Sequence, residues 1–308
     1  MNARILITGS FGLVGSALKS ALQARGIEVI ELDIQAKGSD YGDVRDIDHV
    51  RTAVNRCDGV VHLAAVSRVL WGERDPELCR STNVGGLRNI IESIYSLKKS
   101  PWLIFASSRE VYGQPATLPV SEDAPLRPMN VYGHCKVRGE QLIIDAHRRG
   151  LRVSTVRLSN VYGNTDDHAD RVIPAFSRGA LMGETLRVDG AENTFDFTHI
   201  DDTTRGLVTL VQHMIRGGEA LPPIHFLTGH PTTLQQLAEM AIDIADTGSE
   251  ILYTPPRSYD VARFYGDPSR ANSLLGWSPQ ATLRDGLTQL INDFRDELDT
   301  ADAQVVSL

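Results

Sequence analysis

The sequence predicts an α/β protein, a doubly wound parallel sheet joined to a smaller mixed α/β domain. Three observations carry this. Short apolar runs alternate with helical periodicity through the first half of the chain. A glycine-rich turn, Gly9-Ser-Phe-Gly12-Leu-Val-Gly15, directly follows the first of those runs. Beyond Val161 the alternation loosens into shorter mixed pieces. Short apolar strands separated by helices are covered on both faces, which is the mark of a parallel sheet.

Taken in order, residues 4–8 read as the first strand, and 16–25 as the helix after the glycine turn. Residues 27–32 read as the second strand, 59–63 as the third, 102–106 as the fourth and 152–157 as the fifth. Helices are expected between them, over 85–97 and 131–149. The crossovers should be right-handed.

Bulk properties narrow the classes of function. With 308 residues, 42% of them hydrophobic and 23% charged, the chain can bury a sizeable core as one large domain or two modest ones. The formal charge is −8 and no basic block stands out, which argues against nucleic acid as the main partner. Cys57, Cys79 and Cys135 are odd in number, scattered and not in metal-ligand spacing, so neither a disulfide framework nor a metal site is expected. That usage suits a reducing cytoplasm. The start, MNARILITGSFG, enters a strand at once without a signal-peptide layout, and no 18-residue apolar run follows. A cytoplasmic protein without a membrane span is the expectation.

The glycine turn has a physical reading. One glycine permits a tight turn, one lets the backbone approach a pyrophosphate, and one lets the next helix pack closely with its N-terminus toward the anion. Phe11 and Leu13 sit inside this turn and join it as cofactor-binding candidates. The spacing is Gly-x-x-Gly-x-x-Gly rather than the commoner Gly-x-Gly-x-x-Gly, so the triplet is weak evidence by itself. Asp33 strengthens it. It closes the second strand about 20 residues later, where a carboxylate accepts from both ribose hydroxyls and repels a 2′-phosphate. The combination points to a Rossmann-type domain binding NAD rather than NADP. Glu31 lies on the same strand face, but Asp33 is nearer the strand end.

The triplet VYG occurs three times, at 111–113, 131–133 and 161–163. Only the second copy is followed by a lysine in helical register: Tyr132 and Lys136 are i and i+4, on one face of the helix, with Asn130 as its candidate cap. A phenol ordinarily ionises near 10 and is a poor base at neutral pH. A neighbouring ammonium and a positive nicotinamide would favour the phenolate, making Tyr132 a general base for a hydroxyl being oxidised. Ser108, at the end of the fourth strand, is placed to hydrogen-bond the same substrate oxygen. Tyr112 and Tyr162 have no such lysine and read as loop and packing residues. His62, ending the third strand, reads either as a cleft residue or as a satisfied core histidine.

These motifs together resemble the extended short-chain dehydrogenase/reductases, in particular the NAD-dependent nucleotide-sugar epimerases and dehydratases. The resemblance runs from Arg4 to about Leu287 and rests on TGSFGLVG, VHLAA, NVGG, ASSREVYG, YGHCKVRGE, RLSNVYG, DFTHIDD and LLGWSP. It implies that Gly9, Gly12 and Gly15 form the pyrophosphate turn and Asp33 the ribose anchor. Asp43 and Val44 become adenine-side contacts, and Leu63, Ala64, Ala65 and Asn83 cofactor contacts. Ser108, Tyr132 and Lys136 resemble the catalytic triad, with Lys136 also holding the nicotinamide ribose. Asn160 and Arg257 resemble the residues that meet the diphosphate of a nucleotide sugar. A homodimer through helices 85–97 and 132–149 is also implied.

The chain departs from the family pattern at three places. Glu110 matches a functional glutamate of the dehydratases and uronic-acid decarboxylases. Arg109 stands where 4,6-dehydratases carry an acidic aspartate, and a guanidinium stays charged and cannot replace a proton donor. Phe195 replaces a common arginine. On this balance the expected activity is a 4-epimerase: oxidation at C4 to a 4-keto sugar, then hydride return. A UDP-sugar is favoured, with dTDP- or GDP-sugars as alternatives. Arg109 could bind the carboxylate of a uronate. The alternatives are a dehydratase using Glu110 as base, a uronic-acid decarboxylase, a 4-ketosugar reductase, or a cofactor-binding regulator that would not need the Ser108, Tyr132 and Lys136 set.

Residues 1–160 are expected to form mainly the NAD-binding domain. Residues 161–308 should form mainly a substrate-binding cap, with about 191–220 returning to the first domain. In this half, 181–188 and 224–227 read as extended, 233–247 as a helix capped by Thr232 or Thr233, and 203–214 as a helix capped by Asp201 or Asp202. A helix after Asp267-Pro-Ser-Arg270 should end near Leu275-Gly276, and the last eight residues read as a tail.

Overall fold

The structure, a computed structural model, describes residues 3–257, 259 and 261–306, the last six by backbone alone. The first half runs β1 (Arg4–Thr8), α1 (Leu13–Gln23), β2 (Glu28–Leu32), α2 (Ile47–Val54), β3 (Gly59–His62), α3 (Val69–Arg74), α4 (Pro76–Arg80), α5 (Gly86–Tyr95), β4 (Trp102–Ser108), α6 (Val131–Arg148) and β5 (Val153–Leu158). The second half adds β6 (Asn160–Tyr162), α7 (Val172–Leu181), β7 (Leu186–Asp189), β8 (Thr194–Phe195), β9 (Phe197–His199), α8 (Ile200–Ile215), β10 (Leu221–Phe226), β11 (Thr232–Thr233), α9 (Leu234–Ala245), β12 (Ile251–Thr254), α10 (Ser269–Leu275) and α11 (Leu283–Val306).

Six strands form one parallel sheet in the order β2-β1-β3-β4-β5-β10. The two-residue period of a strand sends alternate side chains to opposite faces. Leu6, Val60, Leu103, Phe105 and Val153 meet Ile90, Ile94 and Ile143 of α5 and α6 on one face. Ile5, Ile7, Val61, Ile104 and Val156 meet Leu18, Leu22, Leu207 and Val211 of α1 and α8 on the other. Strand order reverses between β1 and β3, so ligands are expected beyond the carboxyl ends of those two strands.

The second half does not stay apart from the first. α8 packs against α1, and β10 extends the sheet beside β5. The remaining pieces build a separate core in which Phe176 and Ala180 of α7, Leu237 and Ala241 of α9, and Leu287, Ile291 and Phe294 of α11 surround Leu186 and Val188. β7 pairs in parallel with β12, β8 pairs antiparallel with β11, and β6 pairs in parallel with β9.

Several expectations need correction. Residues 181–185 are not strand: α7 occupies 172–181, and the extended piece starts at Leu186. The helix over 200–215 is capped by His199, whose Nδ1 accepts from the Asp201 amide at 3.3 Å, and not by the aspartates. Asp202 instead accepts from the Gln280 and Ala281 amides, both at 2.9 Å. The chain's end is not an irregular tail through Val306, because α11 meets no glycine or proline after Gly286 and continues as helix. Helix α5 starts one residue later than expected, after a π-helical turn over Ser81–Gly85. The caps at Asn130 and Thr233 are as expected: Asn130 Oδ1 accepts from the Gly133 amide at 2.8 Å, and Thr233 forms a capping box with Gln236.

Candidate functional site

A cleft of about 680 Å3 opens at the carboxyl edge of the sheet, between the sheet and the second core. At one end lie the glycine turn and the N-terminus of α1. Gly9 has φ +74°, and a Cβ there would come within 2.7 Å of the Ala64 amide nitrogen. A Cβ on Gly15 would lie 2.0 Å from the Gly9 carbonyl oxygen. Neither position accepts a larger residue, so the turn holds α1 hard against the sheet edge. The N-cap of α1 is Gly12, and no side chain caps that end, leaving its first amides and the positive end of the helix dipole facing the cleft.

Asp33 and Asp43 follow along the same wall, with Leu13, Val44, Leu63, Ala64 and Ala65. The Asp33 carboxylate accepts from the amides of Phe11 at 3.0 Å and Gln35 at 2.8 Å, so it is fixed in place at the end of β2. Its competitor Glu31 is tied to Lys19 at 3.1 Å. Asp43 is clamped by Arg45, whose Nε donates to it at 2.8 Å, and this contact holds the Asp43 carboxyl below its usual range. The same contact occupies a guanidinium that could otherwise meet a 2′-phosphate. The turn, the uncapped helix end and the carboxylate fit NAD.

Two expected cofactor contacts lie elsewhere. Phe11 does not line the cleft; its ring is 46% exposed beneath the Lys19 ammonium, and only its amide serves the site, through Asp33. Asn83 is buried behind the wall, where its amide group brackets Val66: Oδ1 accepts from the Val66 amide at 2.7 Å and Nδ2 donates to its carbonyl at 3.1 Å. It shapes the loop after β3 and does not itself line the cleft.

The other end of the cleft holds Ser108 from the end of β4 with Tyr132 and Lys136 from one face of α6. Ser108 hydrogen-bonds Tyr132 and lowers its tendency to hold the proton, but burial outweighs this and pushes the phenol above its ordinary value, with Glu110 adding to the rise. Lys136 donates to the Ala106 carbonyl at 2.7 Å, with its ammonium 5.6 Å from the centre of the Tyr132 ring. Burial pulls its ammonium down to about 8. The expected lysine-driven drop at Tyr132 is therefore not what the protein alone produces.

Glu110 and Arg109 line the cleft beside this set but are committed to protein partners. Arg109 pairs with Glu110 at 2.9 Å, and Asn130 Nδ2 donates to the same carboxylate at 2.8 Å. The Arg109 guanidinium lies 4.7 Å from the centre of the Phe195 ring and 5.8 Å from that of Phe264. The departures at 109 and 195 are thus one feature: the phenylalanine provides the face on which the arginine rests.

Asn160 and Arg257 also line the cleft. Asn160 Nδ2 bonds the Asp196 carbonyl at 3.4 Å, and the half-exposed Arg257 reaches Asp189 at 3.4 Å. Sequence reasoning missed Arg171. It is the N-cap residue of α7, has no side-chain capping bond, and joins Val172, Ile173 and Pro174 on the cleft wall. Its guanidinium pairs with Asp167 at 3.1 Å. It shares the cleft mouth with Arg68, which is bonded to Asp170, and with Trp71, which stacks edge-on against His168 at 4.8 Å. The run Asp166-Asp-His-Ala-Asp-Arg171 after NVYGN was the available signal.

The other two tyrosines are spent elsewhere. Tyr112 accepts from Arg157 at 2.6 Å and bonds His225 Nε2 at 2.6 Å. Tyr162 donates to the Leu283 carbonyl at 3.4 Å and packs edge-on against His199. His62 is a core histidine, bonded to Thr8 at 2.7 Å and stacked on Phe105.

A nucleotide-binding turn followed by a serine, tyrosine and lysine at the far end of one cleft defines a dehydrogenase-type site. Residues 5–221 match the NAD dependent epimerase/dehydratase family, and the chain belongs to that family. It is 30% identical to the UDP-glucose 4-epimerase of Mycolicibacterium smegmatis, over 96% of this chain and 99% of that protein. It is also 30% identical to UDP-glucuronic acid decarboxylase 6 of Arabidopsis thaliana, over 96% and 89%. The crystal structure of UDP-glucose 4-epimerase with UDP-glucose from Thermotoga maritima superposes with a TM-score of 0.88 at 28% identity, covering 96% of this chain and 99% of that one. The protein is an NAD-dependent enzyme of the epimerase/dehydratase class. Among the described residues no helix is long and apolar enough to cross a membrane.

Proposed function

We propose that the protein is a nucleotide-sugar 4-epimerase acting on a UDP-hexose. The observation that carries this is a Ser108, Tyr132 and Lys136 set lining the cleft beside a Glu110 already held by Arg109 and Asn130. NAD, held by Gly9, Gly12, Gly15, Asp33 and Lys136, supplies the hydride acceptor and donor. Tyr132 Oη takes the proton of the sugar C4 hydroxyl, with Ser108 hydrogen-bonding the same oxygen. Lys136 charge disfavours proton retention on Tyr132 once substrate and cofactor exclude water. The 4-keto sugar turns in the cleft, and Tyr132 returns the proton as C4 is reduced from its other face. No further acid or base is required. A dehydratase would need Glu110 free to remove the C5 proton, yet that carboxylate is already held by Arg109 and Asn130.

The diphosphate is suited by Arg171 at the N-terminus of α7, where backbone amides and the helix dipole favour an anion, and by Arg257 on the same cleft wall. Asn160 lines the same cleft. A cytoplasmic homodimer through α5 and α6 belongs to the same reading. Their outer faces carry Arg88, Glu92, His134, Arg138 and Asp145 with the exposed Ile144, and light scattering tests the dimer.

Incubation with UDP-, dTDP- and GDP-hexoses and UDP-uronates, with no nicotinamide added, tests the activity. Unchanged mass with an inverted C4 proton signal is expected for UDP-glucose or UDP-galactose. Loss of water or carbon dioxide would overturn the reading and assign Glu110 or Arg109 a direct part.

A further inference from the structure

The mechanism makes no use of Cys79 and Cys135, yet the two are placed together beside the catalytic helix. Both are free and buried, at 0% and 3% exposure. They come from different elements, α4 and α6, and lie 56 positions apart in sequence. Cys135 sits on α6 between Tyr132 and Lys136. The two sulfurs are 3.9 Å apart, with the Cys79 thiol directed at the Cys135 sulfur. A disulfide bond is about 2.05 Å long, so closure requires about 2 Å of approach.

The surroundings leave little slack for that approach. Cys79, Tyr132 and Cys135 form one small packed cluster with Val66, Val69, Val84 and Val131. The Cα of Gly72 is so close that an added Cβ would lie 3.3 Å from the Cys79 sulfur and 3.4 Å from the Tyr132 amide nitrogen. The Cys79 sulfur also accepts from Asn83 Nδ2 at 3.4 Å, and Asn83 is the residue that brackets Val66 on the cofactor wall. Movement at the two sulfurs is therefore transmitted to Tyr132 on one side and to the cofactor loop on the other. A close-packed interior transmits such a shift instead of absorbing it.

The two thiols are not equivalent. The hydrogen bond from Cys79, with the charges of Arg80 and Lys136, favours the thiolate at Cys135 and holds it below the ordinary thiol value. The same contact, with burial, raises Cys79. Arg80 and Lys136 favour a thiolate within the pair, and the 3.9 Å contact places the second sulfur where it can resolve an oxidised first one.

We propose that Cys79 and Cys135 form a reversible disulfide, driven by hydroperoxides, that displaces Tyr132 and Lys136 and switches the enzyme off. The Cys135 thiolate attacks one oxygen of hydrogen peroxide. The O–O bond breaks, and Cys135 sulfenic acid and one water result, the water carrying the former thiol proton. Cys79 sulfur then attacks the sulfenic sulfur. The S–S bond forms, the S–O bond breaks, and a second water leaves with the Cys79 proton. Two thiols lose two electrons and two protons, and one peroxide becomes two waters. A dithiol reductant reverses the step, ending as its own disulfide while both cysteines regain their protons.

The test treats the full-length holoenzyme with hydrogen peroxide and follows three readouts. Non-reducing peptide mass mapping should find a Cys79–Cys135 cross-link that dithiothreitol removes. Amide hydrogen exchange over 131–136 should rise in the oxidised form and return on reduction. Turnover of UDP-galactose should fall about tenfold or more and recover, as expected for a displaced reacting group. Cys79→Ala and Cys135→Ala should keep their turnover before oxidation and lose the reversible inactivation. The absence of a cross-link under peroxide that oxidises exposed methionines overturns the proposal. So does a cross-link that leaves exchange over 131–136 unchanged. If the reduced enzyme turns over no nucleotide sugar, the epimerase reading fails, while the mass map and the exchange data still decide the disulfide.

Discussion

Tyr132 and Tyr112 are each buried and each beside a cation, yet only Tyr132 lines the cleft. Tyr132 meets Ser108 and Lys136 and lines the cleft. Tyr112 belongs to a closed network. Its oxygen receives Arg157 and meets His225, Arg157 bonds Glu140 at 2.9 Å and the Glu122 carbonyl at 2.7 Å, and Glu140 in turn accepts from Ser107 at 2.5 Å. A buried phenol whose oxygen is saturated by protein groups fixes structure. One whose oxygen keeps a direction open to the cleft can act on a ligand.

Four experiments test this contrast. The largest effect is expected for Tyr132→Phe, which removes the proton acceptor without changing shape. Turnover should fall about 10³-fold, within the range for losing a general base, while bound NAD and melting temperature stay near those of the parent. A variant retaining more than a tenth of the parent turnover would remove Tyr132 from the chemistry.

Arg157→Ala should act on stability instead. It leaves Glu140 buried at 4% exposure without its main counter-charge, a loss of about 3–5 kcal/mol by urea unfolding. A stable variant would show that the network is not what holds α6 on the sheet.

Acid should weaken both regions. Burial holds His62 and His225 at about 3, against 6.5 for an exposed histidine. Below pH 6.5 the unfolded chain takes up two protons that the folded chain refuses until near pH 3. Their contribution to stability is complete above pH 6.5 and is lost as pH falls toward 3. Melting temperature should therefore drop steadily from pH 6.5 to pH 4, and less steeply in His62→Asn. An equal slope in the variant would sink the assignment to His62.

The smallest effect is expected for Tyr112→Phe, which deletes two hydrogen bonds but keeps the ring stacked on Phe264. About 1–2 kcal/mol of stability should be lost, with turnover within a few-fold of the parent. A Tyr112→Phe enzyme as inactive as Tyr132→Phe would erase the distinction between the two tyrosines.

Much of this site was legible beforehand because it is local. The turn Gly9–Gly15, the strand end at Asp33 and the i, i+4 pair Tyr132/Lys136 each place their groups by backbone geometry alone. The side chains of Asn83 and Phe11 lie off the cleft wall, which a motif does not foretell because it names a position and says nothing of which way the side chain turns. Arg171 was missed because its meaning depends on α7, whose apolar face has a partner only in the second core.

Local spacing carried the alternating strand–helix order, the nucleotide turn, and the expectations of Asp33 at the ribose and Tyr132 as the reacting tyrosine. All of these rest on spacings of a few residues, where bond geometry leaves few options. Tertiary structure decided what became of the charged residues. Arg109 came to pair with Glu110 and rest on Phe195 at the cleft wall, its Nη1 without a hydrogen-bond partner among the described residues. Tyr112 was closed off by Arg157 and by His225, 45 and 113 positions away. Cys79 came to rest against Cys135. Buried polar groups take whichever partners the packed chain brings within reach, and those partners are distant in sequence because the sheet assembles strands from both halves of the molecule.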